Sequence, residues 1–550
     1  MVQVSIGSAH RGSIALMMVL ILGMLAACGG GGSTVNPPPP PPPPPPPQLD
    51  DGQVMTAQGI VEGVEEGSLL VFRGIRYAAP PTGNLRFRGP VPPASYSGVR
   101  ETKTFGAKCI QPQGGTVVGE EDCLFLNIWT RNDDVIRPVM VYLHPGAANG
   151  VGGDMGSIDP AELATSEDVL VVNLNRRIAV LGHLALDELV NESPSLTAGN
   201  YAVLDVIAAL EWVKANIAEF GGDPNRIMLF GTSAGGLMSC AILGAPDVAG
   251  LISAMGIQSA PCSPAILQAR DDTVNFTSRF PPATATHREL LVLLGCDVAA
   301  DIPACLRALP AEDIIQASLT VEFSRPWFVF APMIDDIVVR DEPYTALANM
   351  TAGDIPVIIG VTANEVGDQF AGLDLPDDAS YRSHLATLFS DPLDDDLYAL
   401  YPTANYAGPK EAFEALWQDV AYSCATERLA REGVTGAPVY LFEISRGFDN
   451  GPFAGQGAYH AIDIAYIFGT FAVFGTTPDA QNLAIRDAMR AAWTGLAADP
   501  TTAPPISTDG TTLWPVFESE NSTYVNFGDD VSGTTNHRDG RCAALIGVLG

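Results

Sequence analysis

The segment around Ser233 constrains the fold of this 550-residue chain more than any other. Residues 226–241 read RIMLFGTSAGGLMSCA, which is a short apolar run, a turn of small residues and an apolar stretch of helical character. This pattern predicts a strand, a tight turn carrying Ser233, and a helix. Small residues beside the serine permit a tight backbone turn, and the helix start places its hydroxyl at a positive dipole end. Ser233 is therefore a candidate nucleophile.

A second strand-and-loop pattern lies upstream. VMVYL at 139–143 predicts a buried strand, and a loop of mostly small residues follows from His144 to Gly150. Backbone N–H groups of such a loop can hold the negative charge that develops on a carbonyl oxygen. Taken alone, an ordinary turn at the end of a strand explains these residues equally well.

A serine nucleophile of this kind needs an acidic group, which follows it along the chain. Glu365 comes directly after an apolar run at 356–361 that predicts another strand. Asp335 and Asp336, which follow APMI, are rival candidates.

The base follows the acid in this chain order, which leaves three histidines beyond Glu365. His384 lies in a helix-like stretch and His537 lies near the polar C-terminal tail. His460 follows an apolar run at 439–444 through a glycine-rich loop. Sites in open parallel sheets lie beyond the carboxyl ends of the strands, which favours His460.

The N-terminal region predicts export. An apolar run at 14–27 follows Arg11 and is about 14 residues long, shorter than the ~20 that span a bilayer, so it indicates a secretory signal. It ends in LAAC, which resembles the lipobox of bacterial lipoproteins, in which the cysteine is lipidated; ordinary signal cleavage nearby is the alternative. We expect a signal peptide over 1–27, a lipidated Cys28 with a spacer to residue 53, and a globular domain over 54–550.

The spacer contains eleven consecutive prolines at 37–47. As polyproline II they extend over roughly 34 Å, which suits a tethered domain, although such a tract also fits the groove of a proline-binding module.

Composition excludes several classes. The formal net charge of −34 argues against a nucleic-acid binder, and 47% hydrophobic residues supply a packed core. Eight cysteines besides Cys28 fit an oxidising compartment, and no CxxC pair or His/Cys cluster indicates a metal site.

Six separated segments resemble the type B carboxylesterases, the α/β-hydrolase family that includes the cholinesterases. They lie in family order at 72–87, 121–130, 199–236, the VIIGVTANEVG stretch ending at Gly367, 457–469, and Trp514 with Pro515. The resemblance implies a central, mostly parallel sheet flanked by helices, with loop and helical insertions forming a gorge. The site residues it implies are Ser233 as nucleophile, Glu365 as acid, His460 as base, and the backbone N–H groups of Gly146, Ala147 and Ala234 as the oxyanion hole.

The resemblance also implies structural pairs. The implied disulfides are Cys109 with Cys123, Cys296 with Cys305 and Cys424 with Cys542, and the implied ion pairs are Arg86 with Glu121 and Arg177 with Asp205. Cys240 and Cys262 are left over, and we expect them to be small buried hydrophobic residues.

The chain departs from the family pattern at several positions. The usual HGGGF is HPGAA at 144–148, Thr232 replaces the usual acidic residue before the nucleophile, and Asp463 stands where Glu is common. The loop between Cys109 and Cys123 contains no tryptophan, so the cation-binding platform of cholinesterases has no counterpart there.

The function implied is a serine carboxylesterase that hydrolyses small-molecule esters through an acyl-enzyme, without cofactor or metal. The alternatives are a hydrolase of a bulkier natural ester, lactone or polyester, and a catalytically silent binding protein. We expect an exported protein of the bacterial cell envelope that contacts a membrane only through its lipid. The sequence does not indicate an oligomeric state or a natural substrate.

Overall fold

The computed structural model describes residues 49–146, 158–193, 196–260, 262, 268–271, 281–324, 328–349, 355–370, 372–389, 393–433 and 436–549. The expected signal peptide, the lipidation site at Cys28 and the proline tract lie outside these residues, as does Ala147. No helix in the described ranges has the length and apolarity needed to cross a membrane.

The strands of the described residues form one large sheet and three small ones. They are β1 Gln53–Thr56, β2 Gly59–Glu62, β3 Val64–Glu66, β4 Leu69–Arg76, β5 Val99–Glu101, β6 Gln111–Gln113, β7 Thr116–Val118, β8 Phe125–Arg131, β9 Arg137–Leu143, β10 Leu170–Leu174, β11 Gly222–Thr232, β12 Ala254–Gln258, β13 Gln268–Ala269, β14 Met333–Ile334, β15 Val357–Thr362, β16 Val439–Ile444, β17 Tyr524–Phe527 and β18 Val531–Thr534. The large sheet has the order β18-β17-β16-β15-β12-β11-β9-β10-β8-β4-β3. Neighbours from β10 to β17 pair in parallel, and the outer pairs are antiparallel.

Helices cover both faces of this sheet. They are α1 Ala161–Ser166, α2 Ala179–His183, α3 Asp187–Val190, α4 Tyr201–Asn216, α5 Ala234–Leu243, α6 Ala283–Leu294, α7 Ile302–Ala308, α8 Ala311–Glu322, α9 Pro343–Asn349, α10 Asp378–Leu388, α11 Leu393–Leu400, α12 Pro409–Trp417, α13 Cys424–Gly433, α14 Asp463–Phe468, α15 Ala480–Ala498 and α16 Arg541–Leu549.

The alternation of side chains along β9 explains this layering. Val139, Val141 and Leu143 pack with residues of α4, α5 and α13 on one face. Met140 and Tyr142 pack with α1, α14 and α15 on the other. Because successive side chains of a strand point to opposite faces, an unbroken apolar strand needs cover on both. The expected α/β-hydrolase architecture is therefore present.

The described cysteines are all paired. The three disulfides implied by the family resemblance are present. The sequence left open whether Cys240 and Cys262 are free, and the structure pairs them in a fourth disulfide between α5 and the segment after β12. Both are fully buried, as expected. Their pairing depends on how α5 packs beside the end of β12, which spacing along the chain does not show.

The two expected ion pairs are also present. Arg86 binds both carboxylate oxygens of Glu121 at 2.6 Å, and Arg177 binds both oxygens of Asp205 at 2.7 and 2.8 Å. Each joins segments far apart in the chain, so these charges belong to the architecture.

Candidate active site

Ser233 lies in a strained turn between β11 and α5. Its backbone has φ 58° and ψ −120°, in the region that residues with a Cβ rarely adopt. A Cβ on Gly235 would lie 2.0 Å from the carbonyl oxygen of Leu143, and one on Gly231 would lie 2.6 Å from the backbone of Gly235. The two glycines therefore allow the helix to pack directly against the strands, which leaves the serine at the carboxyl edge of the sheet.

Three side chains from separate segments meet at this edge. His460 Nε2 lies 2.8 Å from Ser233 Oγ, and His460 Nδ1 lies 2.5 Å from Glu365 Oε2. An ionised carboxylate only accepts hydrogen bonds, so Nδ1 carries the proton and Nε2 is free to accept from the serine hydroxyl. The structure thus brings together the three residues that the sequence analysis singled out.

Backbone and amide groups hold Glu365 in place. Its Oε1 accepts a hydrogen bond from the Thr362 N–H at 2.6 Å, and its own N–H donates to Gln418 Oε1 at 2.7 Å. The Gln418 amide also donates to the Thr362 carbonyl at 3.1 Å. Sequence reasoning missed Gln418, since it begins a π-helical turn, Gln418–Ser423, 53 positions beyond the residue it supports.

The loops that carry the acid and the base are joined to each other. The Asn364 N–H donates to the Ala458 carbonyl at 3.0 Å, and its side-chain amide donates to the Gln456 carbonyl at 2.8 Å. Glu365 and His460 therefore sit on one hydrogen-bonded unit, which limits their relative motion.

The surroundings of His460 favour its charged form. Burial alone lowers the pKa of its imidazole, but the hydrogen bond and charge of Glu365, with the charge of Asp463, outweigh burial and raise the pKa above its ordinary value of 6.5. A base with a raised pKa holds the serine proton more strongly once the serine has attacked.

A cavity of about 620 Å³ opens beside Ser233. Gly146 and Ala234 line it, with apolar and aromatic residues such as Leu237, Phe330 and Tyr422. Ala234 is the first residue of α5, and the first N–H groups of a helix have no partner within it. Two of the three expected oxyanion-hole residues thus border the cavity.

The rival candidates lie elsewhere. His384 packs edge-on against Phe413, with ring centroids 4.7 Å apart. Asp335 accepts hydrogen bonds from the Thr197 hydroxyl and from three backbone N–H groups of its own turn. Both are explained by local structure.

His537 belongs to a buried cluster near the C-terminus. Its Nδ1 lies 3.0 Å from Glu427 Oε2, and its Nε2 lies 3.4 Å from Glu443 Oε2. Potential metal-ligand atoms of Glu427, His537 and Cys542 lie within 4.8 Å of one another, but the Cys542 sulfur is bonded to Cys424. A disulfide sulfur is not a thiolate, so this cluster does not fit a metal site.

A polar network lies directly behind the elbow. Asp463 is fully buried, and its Oδ2 accepts hydrogen bonds from the Thr232 hydroxyl and the Gln258 amide. The Gln258 oxygen in turn accepts from the Trp493 indole N–H at 3.1 Å. Thr232 and Asp463 are both departures from the family pattern, and the sequence alone did not predict their contact.

An open sheet of this topology, in which a serine at a strand-to-helix turn contacts a histidine and the histidine in turn contacts a glutamate, defines the α/β-hydrolase class. The carboxylesterase family matches residues 50–545, and the chain belongs to this family. It is a serine carboxylesterase, which hydrolyses small-molecule carboxylic esters.

The similar proteins support this assignment. The chain is 33% identical over 509 residues to the fumonisin B1 esterase of Sphingopyxis macrogoltabida, a match covering 88% of each protein. It is 30% identical over 433 residues to the para-nitrobenzyl esterase of Bacillus subtilis strain 168, covering 76% of this chain and 83% of that protein. Among solved structures, a thermophilic PNB esterase matches with a TM-score of 0.77 at 25% identity, covering 90% of this chain and 99% of that one. A Geobacillus stearothermophilus carboxylesterase matches with a TM-score of 0.74 at 27% sequence identity, again covering 90% of this chain and 99% of that one.

Proposed function

We propose that Ser233 is the nucleophile of this esterase, His460 its general base and Glu365 the group that orients the imidazole. The observation that carries the proposal is the continuous hydrogen-bond chain from Ser233 Oγ through both ring nitrogens of His460 to Glu365. The complete chain also argues against the catalytically silent alternative.

The geometry supports a two-step reaction. Ser233 Oγ attacks the ester carbonyl while His460 Nε2 takes its proton, and Glu365 stabilises the imidazolium that forms. His460 then returns the proton to the leaving alkoxide, which departs as alcohol and leaves an acyl-enzyme. A water attacks the acyl carbon in the same way, with His460 as base, and releases the carboxylic acid.

On this proposal, backbone N–H groups near the serine hold the negative oxygen of the tetrahedral intermediate. We assign this role to Gly146 and Ala234, which border the cavity, and to Ala147, which lies outside the described residues. Each such donor is worth on the order of 3 kcal/mol in the transition state.

The test is Ser233→Ala with a matched control on the same helix. Ser239 is buried in α5, the helix that follows Ser233, and donates to the Gly235 carbonyl at 3.1 Å, so Ser239→Ala makes the same chemical change without touching the hydrogen-bond chain. Hydrolysis of 4-nitrophenyl acetate should be lost in Ser233→Ala and kept in Ser239→Ala. An organophosphonate should modify Ser233 covalently, and mass spectrometry of the peptide that contains Ser233 should detect the adduct. A Ser233→Ala enzyme that keeps more than about a tenth of kcat would contradict the assignment.

The physiological substrate is, on this proposal, bulkier than a simple acetate ester. Support comes from the apolar and aromatic residues that line the cavity beside Ser233 and from the similarity to an enzyme named for its action on fumonisin B1. Rates on neutral esters of graded acyl length test this point, because kcat/KM should rise as the acyl chain fills the cavity. A maximum at acetate would contradict it.

We also propose that the protein is a lipoprotein of the bacterial cell envelope, tethered through Cys28 and the proline spacer. The support is the LAAC sequence at the end of the apolar run. Intact-mass analysis of protein from the native host should find a lipidated mature chain beginning at Cys28. A mature chain that begins elsewhere and carries no lipid would refute this proposal.

A further inference from the structure

A buried arginine without a carboxylate partner lies in the wall of the cavity beside Ser233. Arg176 is 2% exposed and lines this cavity. Its Nη2 donates to the His144 carbonyl at 3.2 Å, but its buried Nη1 has no hydrogen-bond partner among the residues that the structure describes. No acidic side chain in the described part of the chain forms an ion pair with it. The adjacent Arg177 is the opposite case, because Asp205 binds its guanidinium with both oxygens.

The charge of Arg176 persists at neutral pH. Burial lowers the pKa of its guanidinium only to about 10. Burial and this positive charge also lower the pKa of His144 and His183 to about 3, so both imidazoles are neutral. An isolated buried charge is costly unless something pairs with it. A guanidinium in the cavity wall that has no carboxylate partner among the described residues therefore points to a ligand that supplies the opposite charge.

The acidic side chain in the same wall does not fill this role. Glu322 lines the cavity, and its carboxylate accepts hydrogen bonds from the backbone N–H groups of Val329 and Phe330 at 3.1 to 3.3 Å. Burial raises the pKa of its carboxyl, although the two backbone hydrogen bonds act in the opposite direction. Since Glu322 is held by backbone groups and forms no ion pair with Arg176, the guanidinium remains unmatched.

We propose that Arg176 binds a free carboxylate of the substrate, so that this enzyme prefers esters that retain one unesterified carboxylate. A guanidinium and a carboxylate form strong charge-assisted hydrogen bonds with defined geometry. Ile178, Leu237 and Met238 in the same wall provide apolar contacts for the carbon chain between the carboxylate and the ester. The proposal rests on Ser233 as the nucleophile, since it requires the scissile ester and the carboxylate to occupy one cavity.

Two pairs of substrates test the preference and locate the carboxylate. 4-Nitrophenyl hydrogen adipate and its methyl ester place the charge on the acyl side, whereas 4-acetoxybenzoate and its methyl ester place it on the alcohol side. Spontaneous hydrolysis is subtracted. The assays are run in about 1 M salt, where a Debye length of about 3 Å screens the repulsion between an anion and the net charge of −34.

The measured quantity is the ratio of kcat/KM for each acid to that for its methyl ester. Arg176→Met should lower this ratio by about tenfold to a hundredfold for one of the pairs, the range expected for a charged hydrogen bond. Arg176→Lys should restore part of it. Arg288→Gln removes a positive charge from an exposed pair with Glu188 and should leave the ratio unchanged. Dividing the wild-type ratio by the variant ratio cancels the intrinsic reactivity of each ester.

Equal losses on the acid and on its methyl ester would show that Arg176 is only structural, and would overturn the proposal. The proposal would also be overturned if the ratio in Arg176→Met equalled the wild-type ratio for both pairs. A preference for cationic esters that is lost when Glu322 is replaced would overturn it as well. Competitive inhibition of the wild type offers a test without variants, because adipate should inhibit at least about tenfold more strongly than dimethyl adipate. Hydrolysis of the neutral esters, with its loss in Ser233→Ala, tests the nucleophile separately, so the two proposals fail in distinguishable ways.

Discussion

The hydroxyl of Thr232 donates a 2.5 Å hydrogen bond to Oδ2 of Asp463. This bond joins the residue before the proposed nucleophile to the third residue after the proposed base. Burial raises the pKa of Asp463 to about 6, and its second oxygen, Oδ1, has no hydrogen-bond partner in the described part of the chain. The negative charge of Asp463 also contributes to the raised pKa of His460. Two departures from the family sequence pattern are thus in direct contact beside the proposed nucleophile, Ser233.

Replacing Asp463 by Asn should keep the fold and shift the pH dependence. The Asn oxygen still accepts from Thr232 and Gln258, but the negative charge that raises the pKa of His460 is gone. The acid limb of the kcat/KM profile should therefore move to lower pH. Asp463→Leu, which leaves two buried donors without acceptors, should lower the free energy of unfolding by about 2 kcal/mol or more. An unchanged profile in Asp463→Asn would show that this charge does not reach the imidazole.

The pH profile of the wild type should reflect the raised pKa of His460. A general base must be unprotonated, so kcat/KM should fall as pH falls through a value above 6.5. Glu365→Gln removes the main cause of the rise, so the acid limb should move to lower pH. It should also lower kcat by on the order of a thousandfold or more, because the tautomer is no longer enforced. If the acid limb of the kcat/KM profile did not move in Glu365→Gln, a group other than His460 would be responsible for that limb.

The buried cluster around His537 should stabilise the protein in a limited pH window. Burial opposes the charge on His537, but Glu427 and Glu443 outweigh it and raise its pKa; burial likewise opposes their charges, but His537 lowers the pKa of both. The contribution of His537 to the free energy of unfolding is complete below about pH 6.5, its ordinary pKa. It is lost as pH rises through the raised pKa of His537 in the folded protein. The contribution of Glu427 and Glu443 is complete above about pH 4.5, their ordinary pKa. It is lost as pH falls through their lowered pKa values in the folded protein.

His537→Gln should therefore lower the free energy of unfolding by about 1.5 to 3 kcal/mol between about pH 4.5 and 6.5, and by less above this range. Thermal unfolding of both proteins from pH 4 to 9 provides the measurement. His384→Gln is the matched control, because that histidine is half-buried and lies outside the cluster. A difference that is independent of pH would indicate lost packing rather than lost charge pairing.

Cationic esters should gain little from this site. Thr232 supplies no carboxylate next to the nucleophile, the loop between Cys109 and Cys123 has no tryptophan, and the charge of Arg176 lies in the cavity wall. At high salt, kcat/KM for acetylthiocholine should lie within about tenfold of that for its neutral carbon isostere. A preference above about a hundredfold would mean that Phe330, Tyr422 or Glu322 forms an effective cation site, in favour of a cholinesterase-like function.

The elbow was predictable from sequence because its cause is local. The serine and its glycines lie within six positions, and the chain there must fold as strand, turn and helix. The choice of His460 over His384 and His537 needed more than local sequence. Its position after a predicted strand only favoured it as the base, and the family resemblance was required to select it.

Features formed by contacts between distant segments were not predictable. Gln418 supports Glu365 from 53 positions away, and Gln258 reaches Asp463 from 205 positions away. Arg176 is one of a pair of adjacent arginines in the sequence, and both are buried. Arg176 differs from Arg177 because it lines the cavity beside Ser233, whereas Arg177 is bound by Asp205. The pairing of Cys240 with Cys262 was missed for the same reason.

The disulfide between Cys424 and Cys542 encloses β16, the His460 loop, α14 and α15, whereas Ser233 and Glu365 lie outside the closed span. The residues are 118 positions apart, and closing a loop of that size removes about 4.7 kcal/mol of conformational freedom from the unfolded chain in the entropic model. Reduction removes this constraint, together with the constraint of the disulfide between Cys240 in α5 and Cys262. Enzyme kept reduced should therefore unfold at a lower denaturant concentration than the disulfide-bonded enzyme.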